Sequence, residues 1–290
     1  TCPSTDVLTA DGQFDSYTGW NVNGAGFNTP IDPIGVPPNS AKVFGQFTGG
    51  LNETSVNSDV VVTPGSLVCF NASIFSAPGD NILGGSNAFQ MNIEFFDIAG
   101  VSLGFTTLYE LSAAMPGGLG VWEANGGCLV APDCAVAANV EFLFIQQPGF
   151  DGGAVWYDAA SVDVTEPIIS CDGNVTLVDP TGTDDCGAPM ITSDAPAVFP
   201  VGATLVTYTA TDAGGNTATC QVPVEVLAPI TATTSVVCQL NSAGTGLTPF
   251  ISISGIIGGL PELDCSGYGL SSTDGTLSMT TATEGGTDVI

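Results

Sequence analysis

Val206-Thr207-Tyr208-Thr209-Ala210-Thr211-Asp212-Ala213-Gly214-Gly215-Asn216-Thr217-Ala218-Thr219-Cys220 is the stretch on which the fold turns. Val206, Tyr208 and Ala210 alternate with Thr207, Thr209 and Thr211, the period of a half-buried strand. Asp212 to Asn216 carries the small and αL-tolerant residues of a tight turn. Val222, Val224 and Val226 then repeat the alternation, so two strands fold back on each other. Pro223 cannot donate to a ladder and predicts an edge position for the second strand.

Upstream, Ile169-Ser170-Cys171-Asp172-Gly173-Asn174, then Thr183-Asp184-Asp185-Cys186-Gly187, then Val198-Phe199-Pro200-Val201-Gly202-Ala203-Thr204 complete the unit. With the string above, residues 167–228 resemble the hyalin repeat, or HYR domain, over its full length. The family is an immunoglobulin-like module of extracellular adhesive proteins. The resemblance implies a sandwich over 166–228 in which Cys171 and Cys220 meet, leaving Cys186 unpaired or intermolecular.

Residues 1–165 read as short β-type runs broken by Gly, Pro, Asn and Asp. Leu67–Phe75, Phe89–Ile98, Val140–Ile145 and Ala154–Tyr157 are strands by composition, and Thr106–Met115 is the one stretch with helical spacing. Four pieces occur in order: Asp11-Gly12-Gln13-Phe14-Asp15 with Gly19-Trp20, Thr63 to Phe70, Met91 to Gly100, and Gly153-Ala154-Val155-Trp156-Tyr157-Asp158 with Val162. Together they resemble the jelly-roll carbohydrate-binding modules. Such modules often carry a structural calcium between first and last strands, which by position implies Asp15 and Asp158 as ligands; the other reading is two solvated or capping carboxylates. Sugar binding in them relies on exposed aromatics. Trp122, in the Gly-rich segment 116–127, is the first stacking candidate and Tyr109 the second. The resemblance implies that Trp20 is a core residue; by alternation, one of Trp156 and Tyr157 should face inward and one outward. Glu94, Glu110, Glu123 and Glu141 include no pair whose spacing points to hydrolysis rather than to solvated strand positions.

Residues 229–290 open a third unit, with Val236-Val237-Cys238, Ile251-Ser252-Ile253-Ser254-Gly255 and a Gly258-Gly259-Leu260-Pro261 turn. They are similar to repeats of bacterial gliding adhesins. The segment is short for a sandwich, so further chain or a strand from another copy would complete it, which makes a homopolymer by strand addition an expectation. The expected architecture is therefore all-β, with tandem β-sandwiches in three units.

Composition narrows the function. The 290 residues hold 29 Asp/Glu, one Lys (Lys42), no Arg and no His, for a formal charge of −28 with only 10% charged residues. One Lys cannot neutralise a phosphate backbone or bind an anionic membrane surface, so neither nucleic acid nor such a membrane is a partner. Without His there is no imidazole base and no His metal ligand. An enzyme would have to work through paired carboxylates, and none is expected. The uncompensated repulsion makes a need for calcium or salt reasonable. The start at Thr1-Cys2-Pro3 reads as a mature, secreted chain, and no apolar run is long enough for a membrane helix.

The nine cysteines form no CxxC pair, which fits disulfides in an oxidising compartment, with buried free thiols as the alternative. The pairs expected are Cys2–Cys69, Cys128–Cys134, Cys171–Cys220 and Cys238–Cys265. These readings predict a secreted, cell-surface structural or adhesive protein or filament subunit, with other copies of itself or surface glycans as partners. The alternatives are a lectin-like carbohydrate-binding protein and an accessory part of a secreted glycoside hydrolase.

Overall fold

The computed structural model describes residues 4–24, 40–149, 151–170, 173–184 and 187–228, and the backbone of the strands within 231–240, 247–257 and 287–289. The chain divides into two compact units, Pro3–Glu166 and one that holds Pro167 onward. The strands are β1 (Thr5–Asp6), β2 (Asn21–Asn23), β3 (Ala41–Phe44), β4 (Asn52–Val61), β5 (Leu67–Phe75), β6 (Ala88–Phe96), β7 (Ser102–Ser112), β8 (Glu123–Val130), β9 (Ala137–Gln146) and β10 (Ala154–Thr165) in the first unit. The second has β11 (Ile168–Ser170), β12 (Met190–Ser193), β13 (Gly202–Thr211), β14 (Thr217–Val226), β15 (Thr231–Leu240), β16 (Leu247–Ile257) and β17 (Thr287–Val289). The fold is all-β.

The first unit is a sandwich of two five-stranded antiparallel sheets. One runs β1-β10-β5-β8 with β3 also on β10; the other runs β2-β4-β9-β6-β7. Strict alternation builds the core. On β9, Ala138, Val140, Phe142 and Phe144 are buried between half-buried neighbours. On the facing sheet Phe70, Ala72, Ile74, Tyr157 and Val162 answer them. Phe142 stacks on Tyr157 with centroids 4.2 Å apart, and Phe14, Phe70, Phe89 and Trp20 ring the pair. Trp20 is core, as its position predicts.

β10 takes two partners on one edge, β3 at Ala154–Tyr157 and β1 at Asp163–Val164. Between them the register slips at Asp158/Ser161. This bulge is closed by the 11–19 loop: the Ala160 amide donates to the Gly12 carbonyl at 2.7 Å. A Cβ at position 12 would lie 2.2 Å from the Ala160 carbonyl oxygen, so the approach requires glycine.

Three expectations are corrected. Thr106–Met115 is no helix: residues 106–112 belong to β7, paired with β6. The register shift at Met91/Asn92 inserts one extra residue, Leu108, so Leu108 and Leu111 both pack against the core at a spacing that mimics a helix. The pairs Cys2–Cys69 and Cys128–Cys134 give way to Cys69–Cys128. Cys69 on β5 and Cys128 on β8 are directly opposed in register, with Cα atoms 4.0 Å apart, and strand pairing rather than sequence proximity selects the mate. Cys134 and Cys220 are also in disulfides. Cys2, Cys171 and Cys186 lie outside the described residues, and no side chain is described for Cys238 and Cys265.

The third correction concerns Pro223. In the second unit one sheet runs β11-β14-β13-β12, so β14 is internal. The parallel strand β11 reaches only Val224–Val226, and Pro223 stands where that pairing stops. The turn is as read: the Asn216 amide donates to Asp212 Oδ1 at 2.8 Å, with Gly215 at φ 85°. Val206, Tyr208, Val222, Val224, Val226 and Phe199 form a small separate core. β15, β16 and β17 make a three-stranded antiparallel sheet, while residues 258–286, on which the missing-strand reading rests, lie outside the described residues.

Phe142→Ala is expected to destabilise the first unit by about 3–5 kcal/mol, since a cavity opens between the sheets. Replacing both Cys69 and Cys128 by Ser is expected to remove roughly 2–4 kcal/mol. Urea midpoints of the variants check both, and a midpoint unchanged by either replacement contradicts the assigned packing or link.

Candidate functional site

The alternation that sends Val140 and Phe142 inward places Asn139 and Glu141 on the outer face of the β2-β4-β9-β6-β7 sheet. Register then lines up rows across the sheet. Asn57, Glu141, Asn92 and Thr107 form one; Ser55, Leu143, Gln90 and Glu110 form the next. Neighbours in this face are tied by amide-to-carboxylate hydrogen bonds. Asn139 Nδ2 donates to Asp59 at 2.7 Å and to Asn57 Oδ1 at 3.3 Å, Asn92 Nδ2 to Glu141 at 3.2 Å, and Gln90 Nε2 to Glu110 at 3.0 Å. Asn92 is 1% exposed, so this row is sunk into the sheet rather than waving in solvent.

At the β7 edge the face runs into a groove of about 630 Å³. Thr107, Leu108, Tyr109 and Glu110 form one wall, Glu123 and Asn125 of β8 the other, and Met115 to Gly117 the end. Glu123 is fixed because its Oε2 accepts the Gly118 amide at 2.8 Å. The Tyr109 hydroxyl is buried and makes no hydrogen bond within the described residues. Burial, and then the Glu123 charge, push its phenol above the usual tyrosine range. An apolar ring and thioether beside anchored acceptors can take an amphipathic ligand with hydroxyl donors on one side and C–H groups on the other.

Of the residues singled out in the sequence, Tyr109, Glu110 and Glu123 come together in the groove, and Glu94 and Glu141 stand on the adjoining face. Trp122 lies elsewhere. It stacks on Phe75 at 5.3 Å, and Phe75 meets the edge of Trp156 at 6.0 Å. Trp156 and Tyr157 do point to opposite faces, yet both are buried: Lys42 Nζ covers the Trp156 ring at 4.4 Å and pairs with Asp80 at 2.9 Å. Asn57, Asp59, Gln90, Asn92 and Asn139 were not singled out. Their signal was the polar half of each strand's alternation, which register alone assembles into one surface.

Asp15 is exposed in the 11–19 loop, and Asp158 is 1% exposed at the β10 bulge that this loop covers. The Asp158 Oδ1 accepts the Ala159 amide at 2.7 Å. Among the described residues no group of three or more His, Cys, Asp or Glu is placed to hold a metal. Calcium takes six to eight oxygens, of which Asp15 and Asp158 would supply part and backbone carbonyls and water the rest.

A search of curated proteins finds no match. A family model does. Residues 162–226 match the HYR domain. The HYR segment ends with β14 and contains the Phe199, Tyr208 and Asp212–Asn216 features on which its recognition rests. Among solved structures, the enzymatically active domain of tailspike protein 4 of bacteriophage CBA120 is 12% identical, with a TM-score of 0.41 over 55% of this chain and 21% of that one. The CBM22-1–GH10 modules of xylanase 10B from Clostridium thermocellum, complexed with xylohexaose, are 14% identical, with a TM-score of 0.37 over 60% of this chain and 29% of that one. The module TmCBM61 in complex with β-1,4-galactotriose is 8% identical, with a TM-score of 0.37 over 55% of this chain and 98% of that one. The chain thus spans about a fifth and under a third of the first two. An HYR domain in an all-β, disulfide-linked chain supports an extracellular adhesive role. No helix among the described residues is long and apolar enough to cross a membrane.

The site and core make a pH prediction. Burial raises the phenols of Tyr17, to about 12, and of Tyr109, Tyr157 and Tyr208 in direction. These folded values exceed the unfolded value of 10.0. The stability they contribute is therefore complete below pH 10 and lost as pH rises from there toward 12. Phenolate absorbance of the native protein should lag that of the unfolded chain across this window; coincident titrations would contradict the buried placement.

Proposed function

We propose that the chain is a non-enzymatic, extracellular adhesive protein whose first sandwich attaches to surface glycans. The observation that carries this is the continuity between the polar face and the Tyr109 groove: anchored carboxylates and amides adjoin an aromatic and a thioether in one open trough. Sugars present hydroxyl donors at their rims and C–H groups on their faces, and this arrangement meets both. The HYR domain supports the adhesive half of the reading. The face carboxylates Glu141 and Glu110 are occupied by Asn92 and Gln90 hydrogen bonds, which suits binding rather than proton transfer. A glycan array probed with the full chain tests it. Binding to at least one glycan is expected, and Tyr109→Ala should weaken that binding by about tenfold, or about 1.4 kcal/mol. An array without hits, or a hit indifferent to Tyr109→Ala, removes the groove as the site.

A further inference from the structure

We infer that this site takes uncharged glycans and rejects acidic ones such as uronates and sulfated sugars. The inference rests on the glycan reading above and adds the charge class of the ligand.

Every ionisable side chain named on the face and at the groove rim that carries charge near neutral pH is a carboxylate: Asp59, Glu94 and Glu141 on the sheet, Glu110 at its edge, Glu123 across the groove. No positive side chain is available to them. Lys42 is the sole Lys or Arg in the sequence, and there is no His. It sits on β3, in the opposite sheet, paired to Asp80 and laid over Trp156, with its side chain 18% exposed. Lectin sites that hold a carboxylate or sulfate commonly do so with guanidinium or ammonium groups, and here three amides of the face each turn an N–H to one of the protein's own acids. Asn139, Asn92 and Gln90 each donate to Asp59, Glu141 and Glu110 in turn. The carboxylates so held keep further acceptor capacity, complementary to the hydroxyls of a neutral sugar.

An acidic sugar laid on the same surface would bring a further negative charge among fixed ones, in a chain whose formal charge is −28. Repulsion of this kind acts over roughly a Debye length, about 10 Å at 0.1 M salt, and fades as salt rises. Specificity arises here from an unpaired like charge rather than from a clash.

Affinity electrophoresis of the full chain tests this with a panel of neutral polysaccharides (galactan, mannan, β-glucan) and the same polymers oxidised at C6 to uronates. Retardation by at least one neutral polymer is expected. Its oxidised form should bind at least about tenfold more weakly at low salt, with the gap narrowing in 0.5 M salt as the charges are screened. Glu110→Gln combined with Glu141→Gln should narrow the gap at low salt as well; because the salt series uses the unaltered protein, the test stands even if that variant does not fold. Equal or stronger binding of the oxidised polymer at low salt, or a gap that does not narrow in 0.5 M salt, overturns the charge inference and leaves the glycan reading in place. Retardation by no polymer, neutral or oxidised, overturns the glycan reading itself.

Discussion

The stack of Phe142 on Tyr157, ring centres 4.2 Å apart, joins the two sheets of the first unit and fixes what lies on their outer surfaces. Phe142 belongs to β9, which has β4 and β6 on its two sides; Tyr157 belongs to β10, which has β5 on one side and β3 and β1 on the other. Setting these two strands face to face sets the inward phase of every neighbour, because side chains alternate and register is locked. The polar rows on the outer face are the complement of that core. Phe14 meets the Tyr157 ring edge-on with centroids 4.9 Å apart, so the 11–19 loop is tied to the same pair, and with it the Gly12 carbonyl that closes the β10 bulge.

A second constraint is the near-absence of cations. Carboxylates in most proteins find Lys or Arg; here they find amides and hydroxyls. Asp59 takes Asn139, Glu141 takes Asn92, Glu110 takes Gln90, Asp212 takes Asn216 and Asp151 takes Ser86. Such hydrogen bonds hold a carboxylate in place without cancelling its charge. The Asn216 and Ser86 contacts hold the Asp212 and Asp151 carboxyls below the usual range. The protein thus keeps its negative field while ordering the groups that produce it. Core packing, ladders and disulfides are left to supply the stability that ion pairs elsewhere share.

The all-β class and the 212–216 turn were legible in the sequence because each rests on local pattern, alternation and turn chemistry; the HYR segment and the core role of Trp20 were legible because their residues match a family's pattern. What was not legible depends on register. A bulge opposite Met91/Asn92 turned a strand's spacing into a false helix. The mate of Cys69 lies 59 residues away and is chosen by the β5–β8 pairing. Tyr109 and the four glutamates were visible one by one, but that Glu110 and Glu123 face each other over a groove follows from β7 and β8 belonging to different sheets. Trp122 reads as an exposed platform from its Gly-rich surroundings, whereas Phe75, distant in sequence, occupies one of its faces.

The Cys69–Cys128 link also decides how the first unit would carry tension. A pull along the chain arriving at Cys69 crosses the sulfur bridge to Cys128 and bypasses everything between them. That bypassed segment contains β6, β7 and all the residues that line the groove. Its slack, roughly 20 nm at about 3.4 Å per residue, cannot be drawn out while the bridge is intact. A tether anchored through this sandwich would therefore lengthen at its flanks and spare the segment that forms the trough.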